Sequence, residues 1–270
     1  MNQIKLKLMV LVSVLSLSAL AFTPYLPLWS SSVGSPATPA TLGAYVWYEP
    51  SRSGGPSGGL PTNGAIVTLS NLASTGAILD LTNGSFISTN VLVQTARLNG
   101  LDTLQFGGFR SLACTNFSVP FVHTQEVFLV ISATNLGSAS RGLFGNISVT
   151  NNYSLRYFNT DRTWQPRVNF NVGGNVCAAT TNHYLLLDVL FASRTAGGNF
   201  STIFTNGIQG LEVQTGITNA FGLTLGSAQG GDSPAAMSFA AMAIFTNELT
   251  ALNRSLMSNY FTVRFSLTNQ

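Results

Sequence analysis

Short apolar runs alternate with turn residues along most of the chain. From Leu42 onward, runs rich in Val, Ile, Leu, Phe and Thr are separated by clusters of Gly, Asn, Ser and Pro, and Pro50 ends the first run, GAYVWYEP. Runs of this kind predict β-strands. Eleven further runs have the same form: GAIVTLSN, LDTLQFGGF, EVFLVISA, RGLFGNISV, YSLRYF, RVNFNV, HYLLLDVLFA, FSTIF, IQGLEV, AFGLTLG and SFAAMAIF. No helical period separates them, so we expect an antiparallel two-sheet sandwich.

The stretch TIFTNGIQG predicts one connection in detail. Asn206 and Gly207 stand between two β-type runs. A two-residue type I′ turn requires positive φ at both positions, which Asn and Gly tolerate best. We therefore expect a tight hairpin here, with both residues serving backbone geometry.

One helix is predicted, near the C-terminus, in TNELTALNRSLMSNYF. Thr246 or Asn247 is the expected N-cap. Its apolar positions recur at spacings of three and four residues: Leu249, Leu252, Leu256 and Tyr260. This spacing predicts a short amphipathic helix on the sandwich, and the following FTVRFSL is expected to form a closing strand.

The N-terminal segment has the pattern of a secretory signal. Residues 1–21 combine Lys5 and Lys7, an apolar stretch and a small-residue cleavage pattern, which indicate a signal peptide. An uncleaved anchor is the alternative, although Pro24 and Pro27 interrupt the apolar residues that follow. Residues 22–41 read as a Pro/Ser-rich linker, and residues 42–270 as one domain.

Composition narrows the classes of partner. Lys5 and Lys7 are the only lysines, so ten scattered arginines and nine acids remain beyond them. Nucleic-acid binding requires clustered basic residues, so we do not expect it. In an exported chain, Cys114 and Cys177 predict a disulfide, with two buried free thiols as the alternative.

The order of these segments resembles the concanavalin A-like lectin/glucanase superfamily, in its laminin G-like and pentraxin-like branch. The similarity rests on the opening strand that ends in Trp, on VTLSNLASTG, LNGLDTLQFGG and TNHYLLLDVLFAS with NFSTIFTNGIQG, and on the closing strand plus helix. It spans residues 42–268 and implies a jelly-roll sandwich. Asn71 stands where an acid is usual, and Met242 stands about where the family often has another.

The chain does not show a catalytic or metal-binding spacing. The glucanases of this superfamily carry carboxylates two to four residues apart on one strand, whereas each of the nine acids here is isolated in sequence. His123 and His183 match no zinc-site spacing and are interpreted as structural. Calcium is a weaker hypothesis, with Asp232 and Asp102 as candidate ligands. We predict no catalytic residues and no required cofactor.

The segment YFNTDRTWQPR is the candidate ligand site. Sugar binding uses an exposed aromatic face together with planar hydrogen-bonding groups. The segment offers both, in Tyr157, Asp161, Arg162, Trp164 and Arg167. Trp47, inside an apolar run, is interpreted as a core residue instead.

These observations favour a secreted or surface-displayed binding module that recognises glycans or a glycosylated surface. Its resemblance to the lectins and the aromatic and arginine residues of the candidate site support this reading. A structural subunit of an extracellular coat, filament or virion appendage, self-associating through edge strands, is the alternative. A degenerate glycoside hydrolase is a third reading, and membrane contact is expected only if the N-terminal segment stays uncleaved.

Overall fold

The computed structural model describes residues 36–53, 64–66, 68–83, 91–108, 111–120, 122, 124–132, 141–147, 153–158, 163–168, 171–172, 177–178, 183–194, 198–216, 218–228 and 234–267. The chain divides into two units, Met1–Pro36 and Ala37–Gln270, and the second is described here. The predicted signal peptide and the linker up to residue 35 lie outside the described residues.

Two nine-stranded antiparallel sheets form the domain. Sheet A contains β1 (Val46–Tyr48), β4 (Leu92–Leu98), β5 (Leu101–Gly107), β7 (Glu126–Ser132), β13 (Leu185–Arg194), β14 (Gly198–Thr205), β15 (Ile208–Gln209), β16 (Val213–Thr215) and β18 (Ala236–Phe245). Its order is β15-β14-β13-β7-β18-β5-β4, with β1 beside β18 and β16 beside β14.

Sheet B contains β2 (Thr68–Leu69), β3 (Leu81–Asn83), β6 (Leu112–Val119), β8 (Arg141–Gly145), β9 (Tyr153–Phe158), β10 (Thr163–Val168), β11 (Asn171–Val172), β12 (Cys177–Ala178) and β17 (Ala220–Leu225). Its order is β11-β10-β9-β8-β17-β6-β3-β2, with β12 beside β10. The prediction of a two-sheet antiparallel sandwich is confirmed. Strands β3, β4, β6 and β12 and most of β10 and β16 were not predicted. In β4, β6 and β10 polar residues interrupt the apolar pattern, and β3, β12 and β16 are only two or three residues long.

The central strands of sheet A, β7, β13 and β18, are covered on both faces, which explains their nearly continuous apolar runs. Along β7, Val127 and Leu129 face the core between the sheets, while Phe128 and Val130 belong to a second apolar cluster on the outer face. The single α-helix of the described residues, α1 (Ala251–Phe265), packs over that second cluster.

Helix α1 begins and ends later than predicted. Thr250 is the N-cap, and its hydroxyl accepts a hydrogen bond from the N–H of Asn253. The helix continues through residues 261–265, so the predicted closing strand FTVRFSL is wrong. No helix in the described part of the chain combines the length and hydropathy that crossing a membrane requires.

The buried face of α1 also differs from the predicted one. Met257, Phe261 and Phe265 recur every four residues and are buried, whereas Leu252 and Leu256 are exposed. Because two aromatic rings bury more apolar area than leucines do, their stripe faces the sheet.

The predicted Asn-Gly hairpin is confirmed. Asn206 and Gly207 join β14 to β15 with φ values of 48° and 81°. The Asn206 side chain also accepts a hydrogen bond from the N–H of Leu186 at 2.9 Å, which fixes the turn against β13.

Candidate functional site

The segment predicted to bind sugar contributes its aromatic residues to the core. Trp164 has 0% exposure, and Tyr157 is also buried. The two residues are directly opposite each other in the β9–β10 pair, and their rings meet edge to face at 5.4 Å. Opposite residues of an antiparallel pair share one face of the sheet, and here that face is the core. The interpretation of Trp164 as an exposed stacking residue is therefore wrong.

Of the remaining predicted ligand residues, the structure describes Arg167. Arg167 is half-buried, and this burial lowers its pKa. Asp161 and Arg162 lie outside the described residues. Trp47 is buried, as its apolar run predicted.

The predicted disulfide is not formed in this structure. Cys114 on β6 is a free, buried thiol. The strand that carries Cys177, β12, is separated from β6 by β10, β9, β8 and β17. Five strand spacings of about 4.8 Å each exceed the reach of a disulfide several times over. Burial raises the pKa of the Cys114 thiol.

A polar groove of about 510 Å³ lies on the outer face of sheet B. Its floor is a cross-strand row in which Thr68 pairs with Thr82 and Thr82 pairs with Ala113. The neighbours of these residues along the strands, Leu69 and Leu81, are buried in the core. Strand alternation therefore directs the threonines outward.

The groove has one wall made by the short 3-10 helix Gly76–Leu79. The Asn116 amide on β6 donates a hydrogen bond to the carbonyl of Ile78 at 3.1 Å, which holds this wall against the sheet. Asp80, next along the chain, lines the groove, and one of its carboxylate oxygens accepts the N–H of Asn71 at 2.7 Å. Hydroxyl, amide and carboxylate groups thus line the groove together with the exposed side chain of Ile78.

Ile147 lines the groove on the side nearer β17, where a glycine is required. Gly222 has a φ of +70°, and a Cβ added there would lie 2.5 Å from the Ile147 side chain. The preceding residue, Phe221, has an exposed fraction of 47%, and its carbonyl accepts the N–H of Ile147. The backbone of an exposed aromatic residue is therefore hydrogen-bonded to a residue that lines the groove.

Sequence reasoning missed this groove because its residues come from four separate segments. Thr68, Asp80, Asn116 and Ile147 belong to different elements that only the sheet pairing brings together. The available signal was local: the run LACTNFSV places polar residues between apolar ones, as a half-exposed strand does.

Two acids that are far apart in sequence meet under α1. Glu126 on β7 has 0% exposure and Asp188 on β13 has 3%. Arg254 of α1 donates to both oxygens of Glu126, with Nη2 to Oε2 at 3.1 Å, and its Nε lies 3.7 Å from Asp188. Glu126 also accepts the N–H of Leu249 at 2.8 Å. This cluster anchors the start of α1 to sheet A.

Asp188 is the carboxyl of the pair whose pKa is raised. Burial raises its pKa well above the ordinary value, and the neighbouring Glu126 raises it further, while Arg254 opposes both. A small cavity of about 290 Å³ lies beside the pair, between α1 and the β14–β15 turn.

A third buried acid, Glu49, anchors the end of α1. Glu49, which follows β1, accepts hydrogen bonds from the Arg264 guanidinium at 2.9 Å and from the Tyr260 hydroxyl at 3.0 Å. Both arginines of the helix are therefore engaged with carboxylates buried by the fold.

The other predicted polar candidates have local roles or lie outside the description. Asp102 accepts the N–H of Ala96 near the β4–β5 turn, and His183 is exposed. His123 and Asp232 lie outside the described residues. Within the described ranges, no three His, Cys, Asp or Glu side chains cluster as a metal site would require.

Comparison with solved structures supports the sandwich architecture. Domain 4 of an extracellular GH43 arabinanase from Geobacillus stearothermophilus, solved with arabinotriose, is similar with a TM-score of 0.58 and 14% identity, over 79% of this chain and 97% of that domain. The ligand-binding domain of botulinum neurotoxin serotype D, solved with N-acetylneuraminic acid, has a TM-score of 0.55 and 11% identity, over 83% of this chain and 52% of that one. Trypanosoma rangeli sialidase, solved with sialic acid, has a TM-score of 0.53 and 11% identity, over 86% of this chain and 34% of that one.

These likenesses define the class of fold, an antiparallel β-sandwich with a helix near its C-terminus. At such identities they show the fold alone. No model of a known protein family matches the chain, and no curated protein matches it in sequence.

Proposed function

We propose that this protein is a carbohydrate-binding module whose ligand lies in the groove on the outer face of sheet B. The groove itself carries the proposal: about 510 Å³ of open space, with Thr68, Thr82, Asp80 and Asn116 along it and the exposed Phe221 hydrogen-bonded through its carbonyl to Ile147 of the lining. Sugar hydroxyls pair with such hydroxyl, amide and carboxylate groups, and sugar C–H faces stack on aromatic rings. The sugar ligands of the arabinanase domain and of the neurotoxin domain support the same class.

The charge of the groove favours a neutral glycan. Asp80 is the charged residue among the lining side chains, and the described lining contains no Arg, Lys or His. A carboxylate repels an anionic sugar, and no cation of that lining is placed to compensate for it. A neutral oligosaccharide is therefore the proposed ligand class, in preference to a sialylated one.

The proposal is for binding without a catalytic step. Among the described residues, Glu126 and Asp188 form an adjacent carboxyl pair, and they support this reading because they are buried beneath α1 and engaged with Arg254. Glycosidases need two carboxyl groups that flank the scissile bond, and a pair covered by a helix is not accessible to a polysaccharide.

The proposal also includes export and a concanavalin A-like ancestry. Export is supported by the signal pattern of residues 1–21, and the superfamily by the order of strand motifs. N-terminal sequencing of the protein from the medium of expressing cells tests export. A mature chain that starts near residue 22 is expected, and retention of Met1 on membranes would indicate the uncleaved anchor.

A glycan array followed by titration calorimetry tests the binding site. The chain is expected to bind neutral oligosaccharides, with arabino-oligosaccharides as the first probe and sialyllactose as the anionic comparison. Thr82→Val keeps the side-chain shape and removes a hydroxyl, so it is expected to weaken binding by roughly 2- to 10-fold. Phe221→Ala removes the aromatic face and is expected to weaken it by a similar factor.

Ile208→Ala is the matched control, because Ile208 is 75% exposed and lies on the β14–β15 hairpin of the other sheet. Its affinity is expected to equal that of the wild type. The absence of any glycan signal, or a signal that Thr82→Val and Phe221→Ala leave unchanged, would remove the proposed site.

A further inference from the structure

The outward face of α1 is apolar and lacks a partner within the chain's described residues. Leu252 is 70% exposed and Val263 is 67% exposed, and Leu256 lies between them. The side chains facing the sheet, Met257 and Phe261, are on the opposite side of the helix. The exposed helix positions are Ala251, Leu252, Ser255, Leu256, Asn259 and Val263. All of them are uncharged.

Both charges of the helix are engaged on its inner side. Arg254 pairs with Glu126 and Arg264 pairs with Glu49, and both acceptors are fully buried. Helices that lie on membrane surfaces present Lys and Arg along their polar face, and α1 presents none outward. A neutral apolar face is compatible with a copy of itself, since a two-fold contact places identical patches together and no like charges meet.

The exposed residues have the spacing of a helix-pairing seam. Leu252, Leu256, Asn259 and Val263 are separated by four, three and four residues. This alternation keeps one stripe facing a partner helix, and a single Asn in such a seam sets the register at a cost in stability. Ala251 and Ser255 flank the stripe with small side chains, which allows close approach of two helices.

We propose that this stripe is a self-association surface, where α1 of one copy packs against α1 of a second copy. The helix is about 22 Å long, so the contact is smaller than a standard interface and association depends on concentration. Because the helix covers sheet A and the groove lies on sheet B, pairing leaves both grooves open. The inference does not depend on what the groove binds.

Sedimentation velocity of the full chain, from about 10 μM to about 1 mM, measures this association. The wild type is expected to shift from monomer to dimer across the series. The double variant Leu252→Glu/Val263→Glu places like charges in the seam and is expected to reduce the association constant at least about tenfold. Ile208→Glu, an equally exposed apolar position outside α1, is the matched control and is expected to associate like the wild type.

A further variant, Asn259→Leu, separates loss of the contact from loss of folding. It replaces the one polar residue of the seam and is expected to strengthen association, which misfolding of a charged variant does not imitate. A wild type that stays monomeric throughout overturns the proposal, as does equal association of the double variant and Ile208→Glu. Leu252-dependent binding of the monomer to neutral phosphatidylcholine vesicles would assign the face to lipid and also overturn it.

Discussion

Two buried carboxyl groups beneath α1 share one guanidinium, and this makes the stability of the fold depend on pH. Glu126 is fully buried and Asp188 nearly so. Arg254 contacts both, and Glu248, 42% exposed, lies 3.6 Å from the same guanidinium. One cation does not neutralise two buried carboxylates. Burial and Glu126 raise the pKa of Asp188, so folding favours the protonated form of this carboxyl.

The direction in which stability changes with pH follows from this raised pKa. The pKa of Asp188 in the folded state is above that of an unfolded Asp, which is about 3.9. Its contribution to stability is therefore complete below that value and is lost as the pH rises toward the folded pKa. Between the two pKa values the loss is about 1.4 kcal/mol per pH unit.

Asp188→Asn tests this reasoning because the amide keeps the shape, donates to Glu126 and does not ionise. The free energy of unfolding of wild type and variant, measured with urea, is expected to converge near pH 4. Above that pH, the free energy of unfolding of the variant is expected to exceed that of the wild type by a further amount of about 1.4 kcal/mol per pH unit, until the pKa of Asp188 in the folded state is reached.

Asp102→Asn is the control, since that partly exposed carboxylate lies near the β4–β5 turn, away from α1. Its difference from the wild type is expected to lack the slope described for Asp188→Asn. A difference in the free energy of unfolding between Asp188→Asn and the wild type that stays constant from pH 4 to pH 8 would refute the raised pKa of Asp188.

Two further predictions concern packing. Phe261→Ala leaves a cavity in the apolar cluster between α1 and sheet A and is expected to lower the free energy of unfolding by about 3–5 kcal/mol. Leu252→Ala, at an exposed position, is expected to change it by under about 0.5 kcal/mol. Equal effects of the two variants in urea denaturation would contradict the assigned buried face of α1. Gly222→Ala forces a side chain onto a positive φ and against Ile147, and is expected to lower stability by at least about 1–2 kcal/mol and to weaken glycan binding, measured by denaturation and calorimetry. Full stability and affinity in that variant would count against the close contact described for the groove.

The class of fold was predictable because it depends on local patterns. Apolar runs bounded by turn residues marked most of the strands, and Asn206-Gly207 marked the β14–β15 hairpin. Such signals act over a few residues, since backbone conformation and strand alternation are local properties. Strand β6 escaped prediction because its outward positions are polar, as suits a strand that lines a groove.

The exposure of individual side chains was less predictable. Trp164 and Tyr157 stand in a polar stretch and were interpreted as surface residues. Strand pairing places them opposite each other on the core side. In α1, the leucines and the aromatic residues both had helical spacing, and only packing against sheet A selected the stripe of Phe261 and Phe265.

The sequence alone determined an antiparallel sandwich, a helix near the C-terminus and the Asn206-Gly207 turn of the β14–β15 hairpin. Those features follow from the conformational preferences of neighbouring residues. Only the tertiary structure decided that Thr68, Thr82 and Asn116 share a groove, and that Glu126 and Asp188 both contact Arg254. Such groups are brought together by pairing between strands distant in sequence, and the spacing of residues along a chain does not encode distances across a sheet.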